Sequence, residues 1–418
     1  DVARARLAAR GADDVLGVLA DVLDLWCDPA SPWRLRLLDE HPPAAGFSRE
    51  VVEAGLELAL GRWSGAALRG ALESERRALL AGTGRRLLPF ASTCTVLAGA
   101  IPMPSLLQPL LPLALLSPVL VKPASRDPVT PRLLAESVAA VDPEIGRAIE
   151  VVSFASDDAA SLDRFLAAEC IVASGSDETV AGIRARVRPT QRLVGYGHKL
   201  SIAVVEAGTA LREADTLAEA LSLDVALWDQ LGCLSPHAVY VAGGSCAEAA
   251  AALSEALAAC LAERARSLPR GELAASAAAA IAHERDAAAM RAAAGEAVRV
   301  YAGEGTSWTV IAEADAHFRR CPLHRFVRVH PVADAEALEA AVRPIARHLS
   351  SIALAIEPGD PQQLGRRTAR LGASRLCAPG RLQAPPIDWP HDGRPLLGPL
   401  ARLMGDELAS GSDPAGGA

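Results

Sequence analysis

The stretch ECIVASGSDETV, residues 169–180, combines a short apolar run with the start of a helix. Similar apolar runs lie before and after it, namely PVLVK (118–122), IEVVSF (149–154) and RLVGY (192–196), with helical segments between them. Short, continuously apolar strands that alternate with helices are typical of a parallel sheet buried on both faces. The sequence therefore predicts an α/β fold.

The segments before and after this alternating stretch differ from it in composition. Residues 1–197 are predicted to combine N-terminal helices with the first α/β domain, and residues 198–384 to form a second α/β domain. Residues 385–418 are rich in Pro and Gly and are predicted as an irregular C-terminal segment. Three prolines interrupt the apolar stretch at 106–121, which is predicted as a buried loop and strand and not as a membrane span.

Composition excludes several function classes. A net charge of −8 argues against general nucleic-acid binding. The eight cysteines form no CxxC pair, so neither a metal site nor a redox pair is predicted, and a reduced, cytoplasmic chain is expected. The first residues show no signal-peptide pattern. Only two of the 42 basic residues are lysines, Lys122 and Lys199, and both adjoin apolar runs.

Polar residues follow two of the predicted strands. Lys122, Ser125 and Arg126 follow the first run, and Gly175, Ser176 and Thr179 follow the third. Parallel sheets bind ligands at the carboxyl ends of their strands. The helix start at Gly175-Ser176 is consistent with a phosphate site or with a plain N-cap, and the pattern leaves both open. No GxGxxG motif follows the first strand.

The segment DQLGCLSPHAVYV (229–241) places Cys233 between a glycine and a Leu-Ser-Pro turn. Most free cysteines are buried and inert. A thiol in a turn directly before a strand, between two predicted α/β units, is also well placed to act as a nucleophile. His237 is a possible activating base, although it also simply begins a strand.

Taken together, these segments resemble the aldehyde dehydrogenase superfamily and, within it, the Lux-type long-chain fatty acyl-CoA reductases. The resemblance runs from about residue 92 to the end of the chain and is most specific in two motifs. The matching segments, in order, are STCTVLAGAIPMPSLL (92–107), VLVKPASRDPVTPRL (119–133), ECIVASGSDETV (169–180), RLVGYGHKLSIAVV (192–205), DQLGCLSPHAVYV (229–241), SWTVIAEADAHFRRCPLHRFVRVHPV (307–332) and LGASRLCAPGRLQAPPIDWPHDGRPLL (371–397). The specific motifs are GCLSPH and PPIDWPHDGRP.

The resemblance implies a role for each candidate residue. Cys233 resembles the nucleophile of the superfamily. Lys122 resembles the lysine that contacts the adenosine ribose. Gly175 and Ser176, followed by Thr179, resemble the residues that bind the cofactor pyrophosphate. Ser125 occupies a place that is acidic in many aldehyde-oxidising members. A carboxylate there would repel a 2′-phosphate, whereas Ser125 beside Arg126 accepts one, which favours NADPH.

Two residues depart from the superfamily pattern. Gly195, in the part of the chain expected to contact the cofactor, stands where a general-base glutamate is expected. Without that base, water is a poor competitor for an acyl-cysteine. Ala100 stands where the oxyanion asparagine is expected, which leaves the backbone N–H of Cys233 as a donor; one lost donor costs about 3 kcal/mol.

The resemblance implies an NADPH-dependent reduction of acyl-CoA, or of an acyl-carrier thioester, to a fatty aldehyde through an acyl-cysteine. It further implies an NADP(H)-binding domain over 1–197, a catalytic domain over 198–384 and an oligomerisation role for 385–418. A homo-oligomer is expected, with acyl-transferase or synthetase subunits as possible partners. The open alternatives are an acyl-cysteine transferase or thioesterase without redox chemistry, and a catalytically silent scaffold.

Overall fold

The apolar runs form two separate sheets in the computed structural model, which describes residues 2–81, 84–357 and 364–406. The chain divides into two units. The first unit contains the described residues of Asp1–Ala44, Leu60–Gly197 and Pro386–Ala418, and the second contains those of Ala45–Ala59 and His198–Pro385.

The described helices and strands are numbered in chain order. The helices α1–α15 are Val2–Arg10, Ala12–Cys27, Pro32–Ala45, Arg49–Leu60, Gly65–Leu80, Pro102–Ala114, Val129–Val141, Pro143–Gly146, Ala159–Phe165, Asp177–Arg184, Ala207–Ala226, Cys246–Ser267, Ala275–Ala293, Ala335–Val342 and Leu364–Ala369. The strands β1–β14 are Arg85–Pro89, Thr93–Val96, Val119–Lys122, Ile149–Val151, Cys170–Ser174, Arg192–Tyr196, Leu200–Glu206, Pro236–Ala242, Arg299–Ala302, Thr309–Ala312, Phe326–Val332, Leu349–Ala355, Arg375–Cys377 and Ala401–Gly405. Short 3₁₀ helices span Leu227–Gln230, Arg343–His348, His391–Gly393 and Gly398–Leu400.

The first unit is built on a five-stranded parallel sheet in the order β4-β3-β2-β5-β6. Its central strands are buried on both faces, as the continuous apolar runs predicted. The strand order changes direction at β2, because β3 and β5 pair with its opposite edges. The predicted α/β class is therefore confirmed.

One prediction in the first unit is wrong. The proline-interrupted stretch contains a helix, α6, and not a buried loop. Pro102 occupies a first-turn position, where its missing N–H costs nothing, and Leu106, Leu110 and Leu113 are buried. Burial of this apolar face outweighs the hydrogen bonds lost at Pro109 and Pro112. Across the described residues, no helix has the combined length and apolar character that crossing a bilayer requires.

Two further strands of the first unit form a second, smaller sheet. Strands β1 and β14 pair antiparallel, with Leu87 opposite Leu403. Residues 385–418 were predicted to be irregular, and β14 lies within them. The pairing joins segments that are distant in sequence, so no local pattern indicates it.

The second unit is built on a seven-stranded sheet in the order β13-β12-β7-β8-β11-β10-β9. All neighbouring pairs are parallel except β9 and β10. Strand β8, which follows Cys233, lies in the middle of this sheet. Its Val239 and Val241 pack in one core cluster with α11 and α12.

The segment Ala45–Ala59 belongs to the second unit, although it lies within residues 1–197 of the sequence. Trp228 explains this placement. The Trp228 ring contacts Phe47 edge-to-face at 5.8 Å between centroids, and it covers Gly55 so closely that a Cβ there would lie 2.3 Å from the ring. Only glycine allows helix α4 to approach the indole at this distance.

Candidate functional site

Seven candidate residues of the first unit lie at the carboxyl ends of its parallel strands. We call this set the carboxyl edge; it comprises Lys122, Ser125, Arg126, Gly175, Ser176, Thr179 and Gly195. Lys122 is the last residue of β3, Gly175 follows β5, and β2 separates these two strands. Open α/β sheets bind ligands where the strand order changes direction, which is the position of this edge.

Lys122 lies against an aromatic ring. Its Nζ is 5.0 Å from the centroid of Phe154, which follows the neighbouring strand β4. The contact is a cation–π interaction, and both side chains are half-buried. It holds the ammonium group at the edge of the sheet, where it is available to a hydroxyl or phosphate oxygen.

Ser125 and Arg126 occupy the exposed tip of a tight turn. The turn is closed by the N–H of Asp127, which donates to the carbonyl of Ala124 at 3.1 Å. Asp127 is buried and accepts hydrogen bonds from Ser105 Oγ (2.7 Å) and from the N–H of Thr130 (2.9 Å). This anchor was missed by the sequence analysis, although the aspartate follows Arg126 directly. It holds the turn rigidly while leaving the two candidate side chains in solvent.

Ser176 is the N-cap of helix α10. Its Oγ accepts a hydrogen bond from the N–H of Thr179 at 3.2 Å. The capping role left open by the sequence is therefore present. Asp177 and Glu178 in the first turn add negative charge, which opposes a bound anion, whereas the remaining backbone amides attract one.

Gly195 lies in β6 under helix α10. A Cβ at this position would lie 2.7 Å from Cγ1 of Val180, so a side chain there does not fit unless Val180 shifts. The carbonyl of Gly195 accepts a hydrogen bond from Arg394 at 2.7 Å, and His391 stacks on Tyr196 at 4.8 Å. The PPIDWPHDGRP motif thus packs against β6.

Ala100 is buried at the end of the segment that follows β2. Its methyl group offers no hydrogen bond, so the side-chain donor expected here from the superfamily pattern is absent. The backbone carbonyl of Ala100 accepts a hydrogen bond from His41 Nε2 at 2.9 Å. Burial lowers the pKa of His41, which is therefore neutral and serves to hold this segment.

The second unit holds Cys233 in a loop fixed by buried polar side chains. Ser201 Oγ, on β7, donates to the carbonyl of Cys233 at 2.8 Å. Gln230 Nε2 donates to the carbonyl of Pro236 at 2.8 Å, and Gln383 Nε2 donates to Ser235 Oγ at 2.9 Å. These bonds fix the backbone of the loop, and Cys233 itself is half-buried.

The three fixing residues were missed by the sequence analysis. Gln383 lies in the matching segment 371–397, two residues before the PPIDWPHDGRP motif. Its hydrogen bond to Ser235 gives that segment a physical role, because it joins residues that are 148 positions apart. Ser201 also lies in a matching segment, RLVGYGHKLSIAVV (192–205), but nothing in that segment indicated this role.

The residues before Cys233 adopt an unusual backbone. Trp228, Asp229 and Gln230 all have positive φ values (55°, 48° and 63°). A buried ion pair supports this conformation, since Asp229 Oδ1 lies 2.7 Å from Arg325 Nη2. Arg325 also has a positive φ, of 66°. Consecutive left-handed residues other than glycine cost of order 1–3 kcal/mol each and persist only where surrounding contacts enforce them.

His237 is not equipped to act as a base. It lies at the start of β8, and burial, together with the nearby His198, lowers its pKa to about 4. A base with this pKa accepts a proton poorly at neutral pH.

Several other cysteines are structural. Burial raises the pKa of Cys94, Cys170 and Cys321 well above the ordinary thiol value. Cys321 also donates a hydrogen bond to the carbonyl of Phe326 at 2.9 Å. These three thiols are therefore held in their protonated form, which is not nucleophilic.

The fold is that of the aldehyde dehydrogenases. The structure matches an NAD-dependent benzaldehyde dehydrogenase from Corynebacterium glutamicum with a TM-score of 0.69, 15% identity, and coverage of 96% of this chain and 85% of that chain. It matches aldehyde dehydrogenase 21 from Physcomitrella patens with a TM-score of 0.72, 14% identity, and coverage of 96% and 87%. It matches the Δ-pyrroline-5-carboxylate dehydrogenase from Mycobacterium tuberculosis with a TM-score of 0.70, 19% identity, and coverage of 96% and 80%.

Within that fold, the acyl-CoA reductase (LuxC) family model matches residues 8–403, so the chain belongs to this family of enzymes. A curated relative, the long-chain acyl-protein thioester reductase of Aliivibrio fischeri, is 24% identical over 325 residues, which are 76% of this chain. The match spans 64% of the length of that relative. The resemblance predicted from the sequence motifs is confirmed.

Proposed function

We propose that the protein reduces a fatty acyl thioester, carried by CoA or by a carrier protein, to a fatty aldehyde with NADPH, through an acyl group on Cys233. Membership of the acyl-CoA reductase family supports the reaction class. The observation that carries the assignment of the nucleophile is the loop of Cys233, whose backbone is fixed on both sides while Cys233 itself stays only half-buried.

In the proposed first step, the Cys233 thiolate attacks the thioester carbonyl. A new carbon–sulfur bond forms to Cys233, the bond to the donor sulfur breaks, and the donor leaves as a thiolate. The backbone N–H of Cys233 is the proposed donor to the oxyanion, since Ala100 contributes none. In the second step the acyl-cysteine accepts two electrons as hydride, its carbon–sulfur bond breaks, and the aldehyde leaves while Cys233 returns to the thiolate.

NADPH, when bound, supplies that hydride. The donor set of the carboxyl edge suits a dinucleotide, because it combines an ammonium group, an exposed Ser-Arg turn and the amides of a helix start. Lys122 would hold the adenosine ribose, Ser125 and Arg126 the 2′-phosphate, and Gly175, Ser176 and Thr179 the pyrophosphate. Gly195 would contact the cofactor only through its main-chain atoms. Arg126 beside an uncharged Ser125 supports NADPH over NADH.

The proposed acyl-cysteine should resist water. Gly195 carries no carboxylate and Val180 crowds its position, and His237 has a pKa of about 4. A general base contributes roughly 10²–10⁴-fold to such a hydrolysis. Its loss leaves the acyl group on Cys233 until a hydride arrives, which is the behaviour that separates a reductase from a thioesterase.

The test is to mix the protein with one equivalent of a fatty acyl-CoA without NADPH and to follow its intact mass over minutes. We expect a mass increase on the peptide containing Cys233 that persists and is discharged as aldehyde when NADPH is added. Cys233→Ala should abolish both the labelling and aldehyde formation. Cys246→Ala, at the start of α12, is the matched control and should retain both.

Each other outcome contradicts the proposal in a distinct way. Prompt release of fatty acid without NADPH would identify a thioesterase, and transfer of the acyl group to an added thiol alone would identify a transferase. Absence of any acyl group on Cys233 would favour a catalytically silent scaffold. A homo-oligomer, transferase or synthetase partners and a cytoplasmic location stay predictions.

A further inference from the structure

A cluster of basic residues lies at the amino ends of strands β7 and β12 in the second unit. We call it the basic edge; it comprises His198, Lys199, Arg347 and His348. Strand β7 begins at Leu200 and β12 begins at Leu349, and these two residues are paired in the sheet. Lys199 and His348 therefore occupy equivalent positions on adjacent strands.

Hydrogen bonds hold the basic edge together. Lys199 Nζ donates to the carbonyl of Arg347 at 3.3 Å, and Arg347 Nε donates to His348 Nε2 at 2.9 Å. His348 Nε2 is therefore an acceptor, so Nδ1 carries the proton and donates to the carbonyl of His198 at 3.1 Å. Through this hydrogen bond the imidazole of His348 orients the guanidinium of Arg347.

The two cations of this cluster lack carboxylate partners. Within the part of the chain that the structure describes, neither Lys199 nor Arg347 forms an ion pair with Asp or Glu. Some other exposed arginines do pair with an acid, as Arg212 pairs with Glu357. Lys199 is also one of only two lysines among 42 basic residues. A compact ammonium beside a guanidinium, without a neutralising acid, suits an anionic oxygen ligand.

The basic edge is connected to the loop of Cys233. Ser201 lies two residues after Lys199, and its Oγ donates to the carbonyl of Cys233 at 2.8 Å. The same Oγ accepts a hydrogen bond from the N–H of Ser351 on β12, at 3.2 Å. The cations of the basic edge thus lie at the start of the same two strands whose Ser201 fixes the carbonyl of Cys233.

We propose that the basic edge binds the 4′-phosphate of the pantetheine arm that carries the acyl thioester. This inference rests on the proposed function, because it names how the donor is held for attack by Cys233. CoA and acyl carrier proteins share this phosphate, and the flexible pantetheine chain joins it to the thioester. Recognition of the shared group lets one site accept both donors, whereas the adenosine of CoA is absent from a carrier protein.

The experiment compares three soluble donors with the same acyl group: acyl-CoA, acyl-4′-phosphopantetheine and acyl-pantetheine, which lacks the phosphate. The rate of acyl labelling of Cys233 is measured for the unmodified protein, for Lys199→Met and for Arg347→Gln. Arg343→Gln, four residues earlier on the same 3₁₀ helix and exposed, is the matched control. We expect about tenfold slower labelling by the two phosphorylated donors in each test variant, and no change with acyl-pantetheine. The control should label at the unmodified rate with all three.

Other patterns overturn the inference. Equal losses with acyl-pantetheine would mean that the cations act on the loop or the thiol and not on the donor. A loss confined to acyl-CoA would assign the site to the phosphates of the nucleotide portion instead. Unchanged labelling by every donor would leave the basic edge without this role.

Binding of non-acylated 4′-phosphopantetheine, measured by calorimetry, separates this inference from the proposed function. It needs no chemistry at Cys233, and we expect about tenfold weaker binding in Lys199→Met. If binding weakens while no donor labels Cys233, the phosphate site stands and the proposed function fails. If labelling occurs but binding and donor preference do not depend on Lys199 or Arg347, only the phosphate site is rejected.

Discussion

The carboxyl edge of the first unit and the loop of Cys233 in the second unit are built in opposite ways. Ser125, Arg126 and Ser176 are exposed side chains on turns that follow strands. The Cys233 loop, in contrast, is held by the fully buried side chains of Ser201, Gln230 and Arg325. This difference leads us to expect that the two regions affect different properties, namely cofactor affinity and the free energy of unfolding. Substitutions at the carboxyl edge should change binding with little effect on folding, whereas substitutions around the Cys233 loop should change both.

The physical reason lies in the backbone. Three consecutive left-handed residues precede Cys233, and their conformational cost is offset by the ion pair between Asp229 and Arg325 and by the hydrogen bonds of Gln230. At the carboxyl edge the support is simpler: Asp127 accepts a hydrogen bond from the N–H of Thr130 in the first turn of α7, and Ser176 is the N-cap of α10.

The largest effect is expected from Arg325→Met. It leaves the buried carboxylate of Asp229 without its cation, which typically costs about 3–5 kcal/mol of unfolding free energy. Urea unfolding measures this loss. Arg126→Met, at the exposed carboxyl edge, is the control and should change the free energy of unfolding by less than about 0.5 kcal/mol. Similar losses in both variants would remove the distinction between the two regions.

The sequence was sufficient for the architecture of the parallel sheets, because doubly buried strands leave continuous apolar runs such as ECIVAS (169–174). It failed at α6, where prolines indicated a loop and burial of leucines prevailed. It also missed the pairing of β1 with β14, which depends on residues far apart in the chain.

The sequence likewise predicted only part of the candidate site. Strand ends and motifs drew attention to Lys122, Ser176 and Cys233. The left-handed backbone before Cys233 had no clear local signal, because Asp229 tolerates this conformation but Trp228 and Gln230 are not residue types that indicate it. Their partners, such as Arg325, become visible only when the fold brings them together.

An intermediate effect is expected from Ser125→Glu. If the exposed turn holds the 2′-phosphate, a carboxylate there repels it, and the affinity for NADPH should fall by about tenfold or more while that for NADH changes much less. Fluorescence titration with both cofactors measures the two affinities. Stability should be unaffected, because Ser125 is exposed and the anchor of the turn is Asp127. Equal losses for NADPH and NADH would place residue 125 away from the ribose.

The smallest effect, and the one that separates two roles of a single side chain, is expected at Ser176. Ser176→Ala removes the hydrogen bond from the N–H of Thr179 and should cost about 1 kcal/mol of stability. Ser176→Asp keeps a capping oxygen and so should restore most of that stability, but it places a third carboxylate beside Asp177 and Glu178. If this helix start also binds the cofactor pyrophosphate, the added charge should weaken NADPH binding several-fold in the Asp variant, even though that variant folds as well as the unmodified protein. Thermal unfolding and cofactor titration on both variants separate the two roles. Unchanged NADPH affinity in Ser176→Asp would show that the serine is only a cap, and the pyrophosphate would then have to be held elsewhere on the carboxyl edge.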